Sequence, residues 1–230
     1  MVTAERFGQG MTFDEYVTYA GSPANLKRES TGGAPRKDQS GFLRQAYDHA
    51  HLSDAQQQAW KWLASQPGGP AKVLVISEEW SSDCRRDVPM LARLADTIGL
   101  ELRIFARDGD TFSAAAAPDT KGSPNADLMA QFLNRRDGHT YQSIPVVVFY
   151  TRDMEHLYTY IEYPSCYRKD THLAVIRGAR GGETPEQTKA RADREFTEML
   201  GSPFFHVWRC AAVDEMASML YERLRVGRRA

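Results

Sequence analysis

The chain has 230 residues, 42% of them hydrophobic and 26% charged, with a formal net charge of −1. That length suits one domain with long extensions better than two complete domains, and the composition supports a sizeable core. The near-neutral balance gives no case for nucleic acid or an anionic membrane as partner. Three widely spaced cysteines exclude a disulfide framework and a CxxC zinc site, so a reducing cytoplasm is the expected compartment. The opening MVTAERFGQGMTF lacks the apolar centre of a secretion signal, and no later run is long enough to span a bilayer.

Thr12-Phe13-Asp14-Glu15 reads as a capping box opening a short helix with Phe13, Tyr16 and Val17 on its apolar side. Residues 21–40, rich in Gly, Pro, Ser and charge, read as a loop that is mobile unless something covers it. Phe42, Leu43, Ala46 and Tyr47 recur at helical spacing. Ser53 with Gln56 caps a second helix through Trp60 and Leu63, which Gln66-Pro67-Gly68-Gly69-Pro70 stops.

Val73-Leu74-Val75-Ile76 is too short for a stable helix and suits a strand buried on both faces. Past Trp80-Ser81-Ser82-Asp83-Cys84, a helix follows to Ile98 with Met90, Leu91, Leu94 and Ala95 inward, Pro89 bending it and Gly99 as its C-cap. A strand-to-helix junction of this kind offers free N–H groups and the positive end of a helix dipole, which stabilise an anion, a thiolate included. Leu100 to Ala106 predicts a second, parallel strand. Residues 109–124 form a long insertion, after which Asn125 caps a helix bearing Leu128, Met129, Phe132 and Leu133. Ser143 to Tyr150 and His156 to Tyr163 are the next strands. Asp170 caps a short helix through Val175 and Ile176. Thr184-Pro185-Glu186-Gln187 opens another, and a last amphipathic helix carries Phe204, Val207, Trp208, Ala211, Met216 and Leu220.

A buried strand, Trp80, the S-S-D-C stretch Ser81 to Cys84, Pro89 in the helix, and Ser143-Ile144-Pro145-Val146-Val147-Val148-Phe149 follow one another in that order. In this the chain resembles the thioredoxin superfamily, whose signature is Trp-Cys-x-x-Cys opening a proline-kinked helix, with a cis-proline strand beside the thiols. Asp83 before the final cysteine is similar to the W-C-x-D-C thioredoxin-like branch. The resemblance covers Lys72 to Arg180. It implies an α/β fold: a thioredoxin-like central mixed sheet flanked by helices, with N- and C-terminal helical extensions. The single domain, 1–230, would divide into an extension over 1–70, a core over 71–180 and C-terminal helices over 181–230.

The same resemblance implies that Pro145 is cis, that the Ile144 backbone is open to pair with an extended partner, and that Trp80 is an exposed apolar platform beside the site. It implies a protein or small-molecule thiol or disulfide as partner and no cofactor. It also places Cys166 near the rim where Ser81 and Pro145 meet. One departure weighs against the family chemistry: Ser81 stands at the attacking cysteine, so the motif is SxxC and cannot close its own disulfide. Val75 stands where many thioredoxins keep a buried acid.

Each candidate has a plain reading beside the functional one. Cys84 is either a single redox thiol or a small apolar packing residue. Cys166 is either its partner or a free loop cysteine; a bridge needs Cα atoms within about 7 Å. Cys210, in an apolar helix stripe, reads as core. Ser81, with no histidine near it in sequence to act as base, reads as a helix cap. Glu78 and Glu79 could relay protons but read more simply as solvated acids at a strand exit. His49 and His51 lack a third ligand, so no metal is expected. Two functions compete: a thiol-disulfide oxidoreductase carried by Cys84, alone or with Cys166 as partner, and a redox-silent binding module using the Trp80/Pro145 groove.

Overall fold

A computed structural model describes residues 1–227 of the chain. The N-terminal third is helical: α1 (Ala4–Gly8), α2 (Phe13–Ala20), α3 (Pro23–Leu26), α4 (Ser40–Asp48) and α5 (Asp54–Ser65) precede strand β1 (Lys72–Ser77). Helix α6 (Ser82–Ile98) then leads to β2 (Glu101–Ala106), the short α7 (Ala126–Met129) and the small strands β3 (Asn134–Arg136) and β4 (His139–Tyr141). Strands β5 (Val146–Tyr150) and β6 (His156–Ile161) are followed by α8 (Lys169–Arg177), α9 (Pro185–Leu200) and α10 (Pro203–Arg225).

Four strands form one mixed sheet in the order β2-β1-β5-β6. Strand β1 runs parallel to β2 and antiparallel to β5, and β5 runs antiparallel to β6. Val73 to Ser77 and all of β5 are buried, as strands covered by helices on both faces must be. The sequence-predicted α/β fold, a central mixed sheet flanked by helices, is therefore the fold observed. Helix α6 packs against α4, α5 and α10, and α10 also covers β6. Trp60 of α5 is fully buried, with its ring 5.5 Å from that of Phe149 in the sheet. The capping boxes at Thr12, Ser53 and Thr184 all form.

Four segments depart from the sequence reading, each for a local reason. Residues 21–40 are not an uncovered loop: α3, a 3-10 turn at Thr31–Gly33 and a bridge between Glu29 and Pro35 fold them down, and Arg28 and Arg36 are buried. The helix predicted to run from Asn125 to Leu133 is a single turn, because the Asn125 amide donates to the Ala106 carbonyl (2.7 Å) instead of capping. The chain then turns into a β3–β4 hairpin across Asp137-Gly138, both with positive φ, 51° and 76°. Asp-Gly is the dipeptide that favours such a turn.

Helix α8 buries none of its residues, and Val175 is 67% exposed. The early stripe of α10 is rotated as well. Phe204 and Val207 face solvent while Phe205, Ala212 and Val213 are buried, since Trp208 stacks on Tyr167 (3.9 Å between rings) rather than on the sheet.

These burials set where the fold is sensitive. Leu74→Ala, at a fully buried position of β1, is expected to cost about 2–5 kcal/mol in denaturant unfolding. Val175→Ala on α8 is expected to stay within about 0.5 kcal/mol. Equal costs at the two positions would contradict this assignment of the core.

Candidate functional site

The junction between β1 and α6 is built from short-range signals. Ser81 is extended (φ −73°, ψ 127°) and its hydroxyl accepts from the Cys84 N–H at 3.5 Å, making it the N-cap of α6. Gly99 ends the helix in the left-handed conformation at φ 83°. Cys84 lies in the first turn and is 1% exposed. Burial pushes its thiol up to about 12, with the Asp83 charge adding a little. Hydrogen bonds from the Ser77 and Ser81 side chains and the Glu78 backbone pull the other way and do not offset it.

The Ile144–Pro145 peptide bond is cis. Ile144 and Ser81 line the same hollow of about 250 Å³, together with Trp80, Phe112, Arg107 and Lys169. Trp80, Ser81, Glu162 and Lys169 also border a second hollow of about 330 Å³, walled on its far side by Leu173, Arg177 and Phe196. The structure thus brings Trp80, Ser81 and Ile144 together, with Pro145 next in the chain. Trp80 is half-buried rather than an open platform. Its Nε1 donates to Asp108 at 3.1 Å, and Phe112 from the long insertion meets its ring edge-on at 5.6 Å.

Cys166 lines neither hollow. It is exposed and free, in a turn drawn toward α10 by the Ser165 N–H and hydroxyl, which both donate to Glu215 (2.7 and 2.6 Å). What the returning chain delivers to the hollow is Lys169, whose ammonium bonds Asp83 and Glu162. Cys210, expected in the core, is half-buried, with its sulfur 3.5 Å from His206 Nε2.

Glu78 and Glu79 overturn the expectation of solvated acids. Both are buried, at 0% and 1% exposure. Arg36 reaches Glu78 at 2.5 Å and Glu79 at 2.8 Å, and Arg28 reaches Glu78 at 3.0 Å. The Asp108 N–H also donates to Glu78 at 2.7 Å. Burial raises the Glu78 pKa above the ordinary carboxylate range; Arg28 and Arg36 oppose the rise, and Asp108 and Glu79 add to it.

A second buried group sits in the first two turns of α6. Arg86, with no exposed surface, binds Asp83 (2.7 Å), both oxygens of Asp87 (2.7 and 2.8 Å) and the Glu162 carbonyl (3.0 Å). Tyr160 donates to Asp87 at 3.0 Å. Sequence reasoning missed both clusters. Arg28 and Arg36 lie in the stretch read as a loop, and D-x-x-R-D at 83–87 looks like an ordinary solvated helix face.

A thioredoxin family model matches residues 33–172. The chain belongs to the thioredoxin family. Among solved structures, a protein of unknown function from Pseudomonas aeruginosa is similar at 13% identity, covering 96% of this chain and 98% of that one with a TM-score of 0.54. An HIV epitope-scaffold is similar at 16% identity with the same coverage and TM-score. At such identities the likeness shows the thioredoxin-like fold alone. No curated protein matches. Among the described residues no helix is long and apolar enough to cross a membrane. No group of three or more His, Cys, Asp and Glu among them could hold a metal ion.

Two outcomes follow from the buried charges and the buried thiol. Arg36→Met would leave Glu78 and Glu79 short of their shared counter-ion, with an expected loss of about 3–5 kcal/mol by denaturant unfolding; an unchanged midpoint would show the pairing is not needed. For Cys84 the sign runs through the unfolded chain, whose thiol ionises at its ordinary value while the folded one holds its proton up to about 12. Stability therefore falls as pH rises through that window. Cys84→Ala should make the alkaline decline of the melting temperature shallower, and an unaltered slope would argue that the thiol is already ionised when folded.

Proposed function

We propose that this thioredoxin-family chain is a binding module whose motif has left dithiol chemistry, with the hollow between Trp80, Ser81 and Ile144-Pro145 as the ligand site. The observation that carries the reading is the state of Cys84. It is 1% exposed, its thiol is pushed up to about 12, and a serine stands three residues before it, where the family signature has its first cysteine. Nucleophilic sulfur chemistry needs a thiolate with access to substrate. Here neither condition is met, and Cys166 borders neither hollow.

What persists is a recognition surface. Trp80 and Ile144 supply apolar walls. The Ile144 backbone N–H and C=O have no partner among the described residues, while the Pro145 carbonyl is already held by the Glu162 N–H at 2.8 Å. An extended ligand pairing with Ile144 is the mode these free groups support.

The oxidoreductase reading retains one supporting observation: three hydrogen bonds converge on the Cys84 sulfur and favour its thiolate. Two measurements separate the readings. Mapping iodoacetamide adducts on the native chain near neutral pH should show Cys166 modified and Cys84 protected, and rapid alkylation of Cys84 would overturn the binding-module reading. The wild-type chain should also fail to turn over a protein disulfide with dithiothreitol as reductant. Ser81→Cys is expected to gain such turnover, since it restores the first motif sulfur at a helix start already formed.

A further inference from the structure

The wall of the hollow over Ser81 includes a side chain with a hydrogen-bond donor that nothing among the described residues answers. Arg107 follows β2 directly and is 6% exposed. Its Nε donates to Asp108 Oδ1 (2.7 Å) and its Nη1 to the Gln142 carbonyl (2.7 Å). Its Nη2 is buried and has no partner among the described residues. The guanidinium lies 5.4 Å from the Trp80 ring and 5.8 Å from the Phe112 ring, and all three side chains line the hollow. A buried N–H without an acceptor leaves its lost hydration uncompensated.

A second feature of the same site also favours an acceptor. The N–H groups of Ser82 and Asp83, at the start of the 17-residue α6, have no acceptor among the described residues. They lie at the positive end of the helix dipole. Lys169 stands on the wall too, balanced by Asp83 and Glu162. Arg85 borders the adjoining hollow, and among the described residues its hydrogen bonds go to the carbonyls of Glu79 and Trp80.

The geometry points to a small organic carboxylate as the ligand of this hollow, one oxygen accepting from Arg107 Nη2 and the apolar body lying between Trp80 and Ile144. The inference rests on the binding-module reading and names its ligand class. Three observations select a carboxylate over a dianion such as a phosphate ester. A single guanidinium nitrogen of Arg107 lacks a partner among the described residues, the remaining wall includes Phe112, Ala114 and Ala115, and Glu162 faces the same space and repels a second negative charge. The hollow's 250 Å³ suits a compact acid. Phe112 lines the hollow from an insertion tied down by Gln142 Nε2, which donates to the Ala115 and Ala117 carbonyls (2.9 and 3.1 Å).

The test titrates the full chain with benzoate, hippurate and benzamide, reading affinity by calorimetry and the Trp80 indole N–H resonance, assigned with Trp80→Phe. Both carboxylates should bind at least about tenfold tighter than neutral benzamide, since a charge-assisted hydrogen bond is the stronger one, and added salt should narrow the gap. Hippurate tighter than benzoate would mark a peptide C-terminus as the source, because its amide can pair with Ile144. Equal binding would mark a free acid. Arg107→Gln should lower benzoate affinity at least about tenfold and benzamide affinity by less, so that the gap between them closes; if that variant does not fold, the wild-type contrast decides alone. Benzamide binding as tightly as benzoate, or inorganic phosphate binding more tightly, would overturn the carboxylate and leave the binding site standing. No Trp80 response to any probe would remove both.

Discussion

Everything at the motif depends on two carboxylates held inside the protein. Glu78 and Glu79 follow β1 directly and are buried, and a buried acid is tolerated only when paired and hydrogen-bonded. Arg28 and Arg36 supply that pairing from a segment more than forty residues upstream. Their reach draws residues 21–40 over the strand exit. Asp108 extends the same cluster toward the hollow: one oxygen accepts from Arg107 and the other from the Trp80 indole. The orientation of Trp80 is therefore set by electrostatics transmitted from the N-terminal segment, not by strand packing alone.

The family architecture is retained around a motif that carries one sulfur. A strand still feeds a capped helix and a cis-proline still opens the strand opposite, yet the one remaining motif sulfur is sealed beneath Ser81. The polar side chains have been redistributed around this point. Lys169 closes over Asp83 from outside, Arg86 ties the helix to β6 from inside, and Phe112 folds an insertion against Trp80. The result is a small, walled space beside the motif.

The fold was legible because its signals are local. Val73 to Ile76 and Val146 to Phe149 are apolar runs of strand length, and Thr12, Ser53 and Thr184 carry caps whose partners lie three residues away. The site was legible only along the chain. Trp80, Ser81 and Ile144 could be grouped from their order, whereas the ion clusters join residues up to 86 positions apart and leave no periodic trace. Glu78 and Glu79 read as surface acids since nothing near them in sequence neutralises them. Cys166 was placed by strand direction alone, and the Ser165–Glu215 contact that turns it aside comes from a helix fifty residues later. The β3–β4 hairpin, by contrast, was readable from Asp137-Gly138 and was passed over in favour of the apolar pattern before it.

The strap formed by Arg28 and Arg36 ties the ancestry of two distant stretches together. A relative that lost the region before residue 40 would be left with two naked negative charges in its interior, so the acids at 78 and 79 and the arginines that hold them should be gained and discarded as a set. Mixed pairings, acids without arginines or the reverse, should be rare among homologous chains that keep this topology.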